Sequence, residues 1–255
     1  MKNSTKYESM DGAVGFTLSY EGNDTERHAI DLYDVSQALI GFQRSLALTT
    51  HLILNDEIIT QAPSLKGARI VALPSEPGSW KITAWVLAGA TGLYNLGTAQ
   101  NNSPIGHLVY SLYDYVIKES LGVHVDYNKS LGQLYEEAER KKIKIPIIRQ
   151  SQADSLLEKT ERAIVEMHRP IFKTQSASSA IITSNFAGYN APLGISLDLE
   201  TYDFIHETYT NDVPNALEGR VTSYNSNTYK GRIYIAKYGR PVAFEITPPA
   251  LAPHV

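Results

Sequence analysis

Three short strand-like segments near the C-terminus constrain the fold more than any other feature of this chain. Residues 219–224, 229–236 and 240–246 are rich in β-branched and aromatic residues, and turn-forming residues separate them. Pro248 and Pro249 follow, and proline cannot donate the hydrogen bond that a continuing strand needs. The pattern is typical of a small β-barrel and predicts one at the C-terminal end of the chain.

The first third of the chain alternates between strand and helix patterns. Apolar and polar residues alternate over residues 14–20, which indicates a half-buried strand. Asp31 is a helix cap, and apolar residues then recur every three or four positions down to Asn55. This stripe predicts a long core helix, with a heptad contact to another chain as the alternative. Residues 68–73 and 79–86 flank a turn rich in proline and glycine, and are predicted to form an antiparallel hairpin.

Three further helices are predicted in the middle of the chain. Ser103 caps the first, Asn128 starts the second, and Ser151 with Asp154 resembles a capping box for the third. Pro170 ends the third helix, and small polar residues follow it.

Together these patterns predict an α+β protein. An antiparallel sheet covered by helices is expected because turns, and not crossover helices, join the neighbouring strands. Residues 1–12 are expected to form a flexible tail, residues 13–170 an α+β domain, and residues 171–255 a small C-terminal β-barrel domain.

Residues 82–113 contain no charged side chain. Three interpretations fit this segment: a core element or subunit interface, a membrane-active segment, and a ligand pocket. Asparagine, glutamine and proline within it disfavour a membrane span, so a membrane partner is not expected. The preferred hypothesis is a homo-oligomer whose interface includes Trp85, Leu87, Leu93, Tyr94, Leu108 and Leu112.

Composition narrows the functional classes. There is no cysteine, and the seven histidines show no metal-ligand spacing. No phosphate-binding loop, dinucleotide fingerprint or nucleophile elbow is present. A net charge of −4 provides no global attraction to nucleic acid or anionic lipid. We therefore expect a non-enzymatic binding or assembly protein without a cofactor or metal. The polar start lacks a signal-peptide core, which favours the cytoplasm.

Basic residues interleaved with tyrosines near the C-terminus provide an alternative function. Such a surface can contact phosphates and stack bases, so nucleic-acid or nucleotide binding is the second hypothesis. Its candidate contacts are Arg220, Lys230, Arg232, Tyr234, Lys237 and Arg240. A separate basic run, residues 140–144, is interpreted as the solvated C-terminal end of a helix.

A family resemblance rests on the N-terminal helix, the terminal strands and the hairpin Leu73-Pro74 … Pro77-Gly78-Ser79-Trp80-Lys81-Ile82. These features resemble an uncharacterised bacterial family in which a domain of unknown function precedes a five-stranded β-barrel domain. The resemblance implies a bacterial source and a fold, without an activity. Families of this kind often belong to mobile-element or antiphage modules.

Overall fold

A computed structural model describes residues 14–59, 61–73, 80–88, 104–186, 189–206 and 215–246. Its strands are β1 (Val14–Glu21), β2 (Ala68–Leu73), β3 (Trp80–Ala88), β4 (Ser179–Phe186), β5 (Tyr189–Leu197), β6 (Arg220–Asn225), β7 (Lys230–Ile235) and β8 (Arg240–Glu245). Its α-helices are α1 (Leu32–Asn55), α2 (Pro104–Ser120), α3 (Gln133–Arg140), α4 (Gln150–Met167), α5 (Arg169–Phe172) and α6 (Leu199–His206).

The first five strands form one sheet in the order β2-β3-β1-β4-β5, and every neighbouring pair is antiparallel. Phe16 and Leu18 of β1 are fully buried, as is Ile182, which pairs with Leu18 from β4. Helices α1, α2 and α4 pack against this face, where the Tyr20 hydroxyl donates to the Met167 carbonyl at 2.6 Å. The predicted α+β class, with a helix-covered antiparallel sheet, is confirmed.

Local capping explains where the long helices begin. Helix α1 starts as predicted, because an Asp31 carboxylate oxygen accepts from the Asp34 backbone N–H at 2.8 Å. Helix α4 begins earlier than predicted. Its N-cap is Arg149, and the Gln152 side chain accepts from the Arg149 backbone N–H at 2.9 Å. The capping box predicted to start at Ser151 is therefore wrong, because the box starts two residues earlier, at Arg149.

The C-terminal strands form a separate three-stranded antiparallel sheet in the order β6-β7-β8. Among the described residues this sheet is not closed, so the predicted barrel is corrected to an open sheet. One face of the C-terminal sheet packs against α4, so a helix covers this face and the sheet does not close on itself to cover it. Asn225 Nδ2 donates to Glu158 Oε2 at 3.2 Å, and Gln150 Nε2 donates to the Thr222 carbonyl at 3.1 Å.

The boundary between the two parts lies later than residue 171. Strand β4 pairs with β1 along its length, and β5 pairs with β4, so both strands belong to the first sheet. Small polar residues between 176 and 179 look like a linker in the sequence. However, Ser176 is buried and the Ser178 N–H donates to the Glu21 carbonyl at 2.8 Å. The first unit therefore extends through α6 to His206.

Candidate functional site

A cleft of about 810 Å³ lies between helices α4 and α6 and the C-terminal sheet. This volume falls within the range of about 300–1,000 Å³ that is common for ligand sites. Six carboxylates line it: Asp154, Glu158, Glu161, Glu200, Asp203 and Glu245. Among the described residues, two cationic side chains accompany them, Lys230 and Arg232. The lining therefore carries a formal charge of −4, and we call this feature the acidic cleft.

Some of the carboxylates already have partners. Glu158 Oε2 accepts from Asn225 Nδ2 and from the Thr228 hydroxyl at 3.2 and 3.3 Å. Lys230 Nζ lies 3.9 Å from Glu245 Oε2. Within the described part of the chain, by contrast, no cation pairs with three other carboxylates of the cleft. These are Glu161, Glu200 and Asp203.

Apolar side chains form the rest of the cleft wall. Leu157 comes from α4, Phe204 and Ile205 come from α6, and Val242 and Phe244 come from β8. The Phe204 ring packs closely on Gly122, where an added Cβ would lie 2.9 Å from the ring. Gly122 also has φ +84°, a conformation that glycine adopts easily. The acidic cleft therefore combines negative charge with aromatic and aliphatic surface.

Arg232, which lines the acidic cleft, also belongs to a polar cluster with Glu119 and His124. Arg232 Nη1 donates to the Glu119 backbone carbonyl, which joins β7 to α2. The buried Glu119 carboxylate accepts from the Val125 N–H at 2.6 Å, and its Oε1 lies 3.1 Å from His124 Nδ1. The His124 ring in turn lies 5.2 Å from the Tyr234 ring. This cluster fixes the C-terminal sheet against the helical layer.

Asp154 is the carboxylate at the boundary between this cluster and the cleft. Its Oδ1 atom is buried and has no hydrogen-bond partner within the described residues. Desolvation is the main cause that raises the pKa of Asp154 to about 7. The neighbouring Glu119 carboxylate adds to this shift, and Arg232 opposes it. An acid kept in such surroundings at the wall of a cleft is typical of functional sites.

The shifted pKa leads to a prediction about stability. Above pH 7 the folded protein must ionise Asp154 in a poorly solvated place, whereas the unfolded chain ionises it freely from pH 3.8 upward. The free energy of unfolding therefore falls as pH rises from about 4 to 7. We expect Asp154→Asn to stabilise the protein at pH 8 by about 1–2 kcal/mol, a value reduced for solvent screening. Urea denaturation at pH 8 and pH 5 tests this, and the gain should shrink at pH 5.

Asp203→Asn is the matched control for this prediction. Asp203 lines the same cleft but is exposed, so its replacement should change the free energy of unfolding by less than about 0.5 kcal/mol. Equal effects of the two substitutions at pH 8 would contradict the special position of Asp154.

The structure separates the predicted nucleic-acid contacts. Lys230 and Arg232 line the acidic cleft, and Tyr234 faces His124. Arg220 and Lys237 are exposed, and Lys237 Nζ lies 6.0 Å from the Tyr238 ring centroid. The side chain of Arg240 lies outside the described part of the chain. In the strand pairing Arg220 lies opposite Tyr234, and Lys230 and Arg232 are alternate residues of β7 that both line the acidic cleft.

The residues predicted to form an oligomer interface also lie in different parts of the protein. Leu108 and Leu112 are fully buried in the core of their own chain, which corrects their assignment to an interface. Trp85 and Leu87 are half-buried on the sheet face opposite the helices, where the Trp85 ring lies across Gly15. Leu93 and Tyr94 lie outside the described residues.

The acidic cleft is the feature that sequence reasoning missed. Asp154, Glu158 and Glu161 are spaced by four and three residues, which places all three on one face of α4. That spacing was a usable signal. Glu200 and Asp203 of α6 precede the basic strands in the sequence, but nothing in the sequence indicates that the acids of α6 and those of α4 line one cleft.

Among the described residues, no group of three or more histidine, cysteine, aspartate or glutamate side chains is arranged to hold a metal ion. None of the helices in the described ranges has the length and apolar character needed to cross a membrane.

Comparisons with known proteins agree with the division of the chain. No curated protein and no solved structure matches it. Two family models match in order along the chain. A domain of unknown function, DUF7946, matches residues 16–206, and a family of unknown function, DUF7947, matches residues 214–254. The first match ends at the last residue of α6, where the structure ends the first unit. Because the longer match covers well over half of its residues, this chain belongs to the family of the domain of unknown function DUF7946.

Proposed function

We propose that this protein is a non-enzymatic binding and assembly protein whose acidic cleft holds a basic, partly apolar segment of a protein. The observation that carries the proposal is the composition of the cleft, with six carboxylates against two cations beside an apolar wall. Glu161, Glu200 and Asp203 are available to pair with lysine or arginine. Phe204 and Phe244 offer aromatic and apolar contact for the stems of those side chains.

Electrostatics favour this ligand over nucleic acid. Phosphates entering the cleft would meet an excess of carboxylates over cations, whereas lysine and arginine side chains would be attracted. Asp154 supports the same conclusion, because a nearby cation would stabilise its ionised form and lower its raised pKa. Bound ligand would thus relieve a cost that the free protein carries at neutral pH.

A fluorescently labelled peptide of alternating lysine and leucine, unrelated to this chain, tests the proposal. Fluorescence anisotropy at 50 mM salt is expected to show binding in the micromolar range, because the cleft is small and solvent-accessible. The double variant Glu161→Lys/Asp203→Lys should weaken this binding at least tenfold. Binding should also weaken at 500 mM salt, where charges are screened over about 4–5 Å.

The control variant is Glu26→Lys/Glu139→Lys, which makes the same change of charge at exposed sites outside the cleft lining. It should leave peptide affinity within about twofold of the unchanged protein. Equal weakening by both double variants would indicate a non-specific charge effect and would overturn the proposal. A labelled oligonucleotide that binds more tightly than the peptide, and loses affinity in Arg220→Ala/Lys237→Ala, would favour the nucleic-acid hypothesis instead.

Self-association through the uncharged segment stays a prediction. Leu108 and Leu112 belong to the core. Of the six residues predicted at the interface, Trp85 and Leu87 therefore remain as candidates, and Leu93 and Tyr94 lie outside the described residues. A membrane-active role for residues 82–113 likewise stays a prediction, and liposome leakage is its test.

A further inference from the structure

The connection between α3 and α4 presents an exposed basic segment, residues 141–147, which we call the basic strap. Lys142 and Lys144 are exposed and form no ion pair within the described residues. Lys141, by contrast, is paired with Glu137, whose Oε1 lies 2.6 Å from its Nζ. Apolar residues alternate with these lysines: Ile143 is 38% exposed and Ile147 is 71% exposed.

The basic strap is held in place at its C-terminal end. Ile148, the next residue, is buried, and its backbone N–H donates to the Tyr135 hydroxyl at 2.9 Å. The Tyr127 hydroxyl donates to the Ile148 carbonyl. Because this anchoring buries Ile148, the side chain of Ile147 projects into solvent. Ile143 and Ile147 thus place exposed apolar surface beside the exposed lysines.

We propose that the basic strap of one copy of this protein occupies the acidic cleft of a second copy. This inference rests on the proposed function and names its ligand. Charge complementarity carries it: Lys142 and Lys144 are unpaired cations, and Glu161, Glu200 and Asp203 are unpaired acids. Ile143 and Ile147 match the apolar wall that Leu157, Phe204 and Phe244 provide. The exposure of the strap shows that it does not fill the cleft of its own chain.

The dimensions of the two features are compatible. From Lys142 to Ile147 an extended chain spans about 17 Å, at about 3.3 Å per residue. The α4 wall from Asp154 to Glu161 is about 10 Å long, at 1.5 Å per residue, and α6 and β8 extend the cleft beyond it. The strap and the cleft are different surfaces, so the contact is head-to-tail. Such contacts produce closed rings or open chains of subunits, and not simple two-fold dimers.

Charge reversal tests this inference in the full chain. At 50 mM salt and about 50 μM protein, light scattering after size exclusion should give a mass well above the monomer. At 500 mM salt the mass should fall towards the monomer. The strap variant Lys142→Glu/Lys144→Glu and the cleft variant Glu161→Lys/Asp203→Lys should each be monomeric alone. An equimolar mixture of the two should regain the large mass, because each reversed surface then meets a complementary one.

Lys173→Glu/Lys237→Glu is the control for the strap variant, since both lysines are exposed outside the strap and the charge change is the same. It should keep the mass of the unchanged protein. Circular dichroism of every variant confirms that loss of mass is not loss of fold. A monomeric unchanged protein would overturn this inference, as would a multimer that both charge-reversed variants retain. If the monomer still bound the lysine–leucine peptide in its cleft, the proposed function would stand alone.

Discussion

Gly41→Ala is expected to destabilise this protein by about 3 kcal/mol, although glycine-to-alanine changes within a helix usually stabilise by about 1 kcal/mol. Gly41 lies in α1 where that helix crosses α4. An added Cβ would lie 2.3 Å from the Ala163 carbonyl oxygen and 3.3 Å from the Ala163 carbonyl carbon. These are backbone atoms of α4, so no side-chain rotation can relieve the overlap. The two helices would have to move apart.

Gly132→Ala is the matched control for this prediction. Gly132 precedes α3 with φ −60°, and no other part of the protein lies within 4 Å of an added Cβ. We expect it to raise the free energy of unfolding by about 0.5–1 kcal/mol. Urea denaturation followed by circular dichroism at pH 7.5 measures both variants. A gain of stability in both would mean that α1 and α4 are not in close contact at Gly41.

Acidification from pH 6.5 to pH 4 is expected to remove about 3 kcal/mol of stability through His168. This side chain is fully buried between α4 and α6. Its Nδ1 donates to the Ile164 carbonyl at 2.8 Å, and its Nε2 lies 3.1 Å from the Thr201 hydroxyl. Burial lowers the pKa of His168 to about 4. The unfolded chain therefore takes up a proton below pH 6.5 that the folded protein does not, and the stabilisation present above pH 6.5 is lost as pH falls to 4.

Comparison of the unchanged protein with His168→Gln isolates this contribution. The variant should be less stable at pH 7, because it changes the packing and the hydrogen bonds of a buried position. Its free energy of unfolding should nevertheless fall about 3 kcal/mol less between pH 6.5 and pH 4. His28→Asn, at an exposed position with φ +59° that asparagine tolerates, should keep the original pH dependence. The same pH dependence in all three proteins would exclude His168 as its source.

Local patterns predicted most of the elements of this fold because the physics that forms them is local. The Asp31 cap and the apolar spacing of α1 determine a helix whatever surrounds it. The proline- and glycine-rich sequence between β2 and β3 likewise predicted the antiparallel pairing of these two strands. The predicted barrel failed for a different reason: strand alternation shows that one face is buried, but not what buries it. Here α4, and not a further set of strands, covers a face of the C-terminal sheet.

The candidate site was less predictable because it is assembled from distant segments. Asp154, Asp203 and Phe244 come from three elements that meet only in the folded protein. The sequence pattern predicts Lys230 and Arg232 as nucleic-acid contacts, but what these cations can bind also depends on the acids that face them. Viewed in sequence they resemble phosphate contacts, and in the structure they partly neutralise a cleft with excess negative charge.

The position of β1 also has a consequence for biosynthesis. This strand lies at the centre of the first sheet, between β3 and β4, and Tyr20 pairs with Ala180, 160 positions later. In a nascent chain leaving the ribosome, the edge of β1 that pairs with β4 therefore lacks its partner until β4 emerges. Such distant pairing is associated with slow folding and with exposure to aggregation along the way. Helix α1, which follows β1 directly, is the first element that can shield the apolar face of this strand.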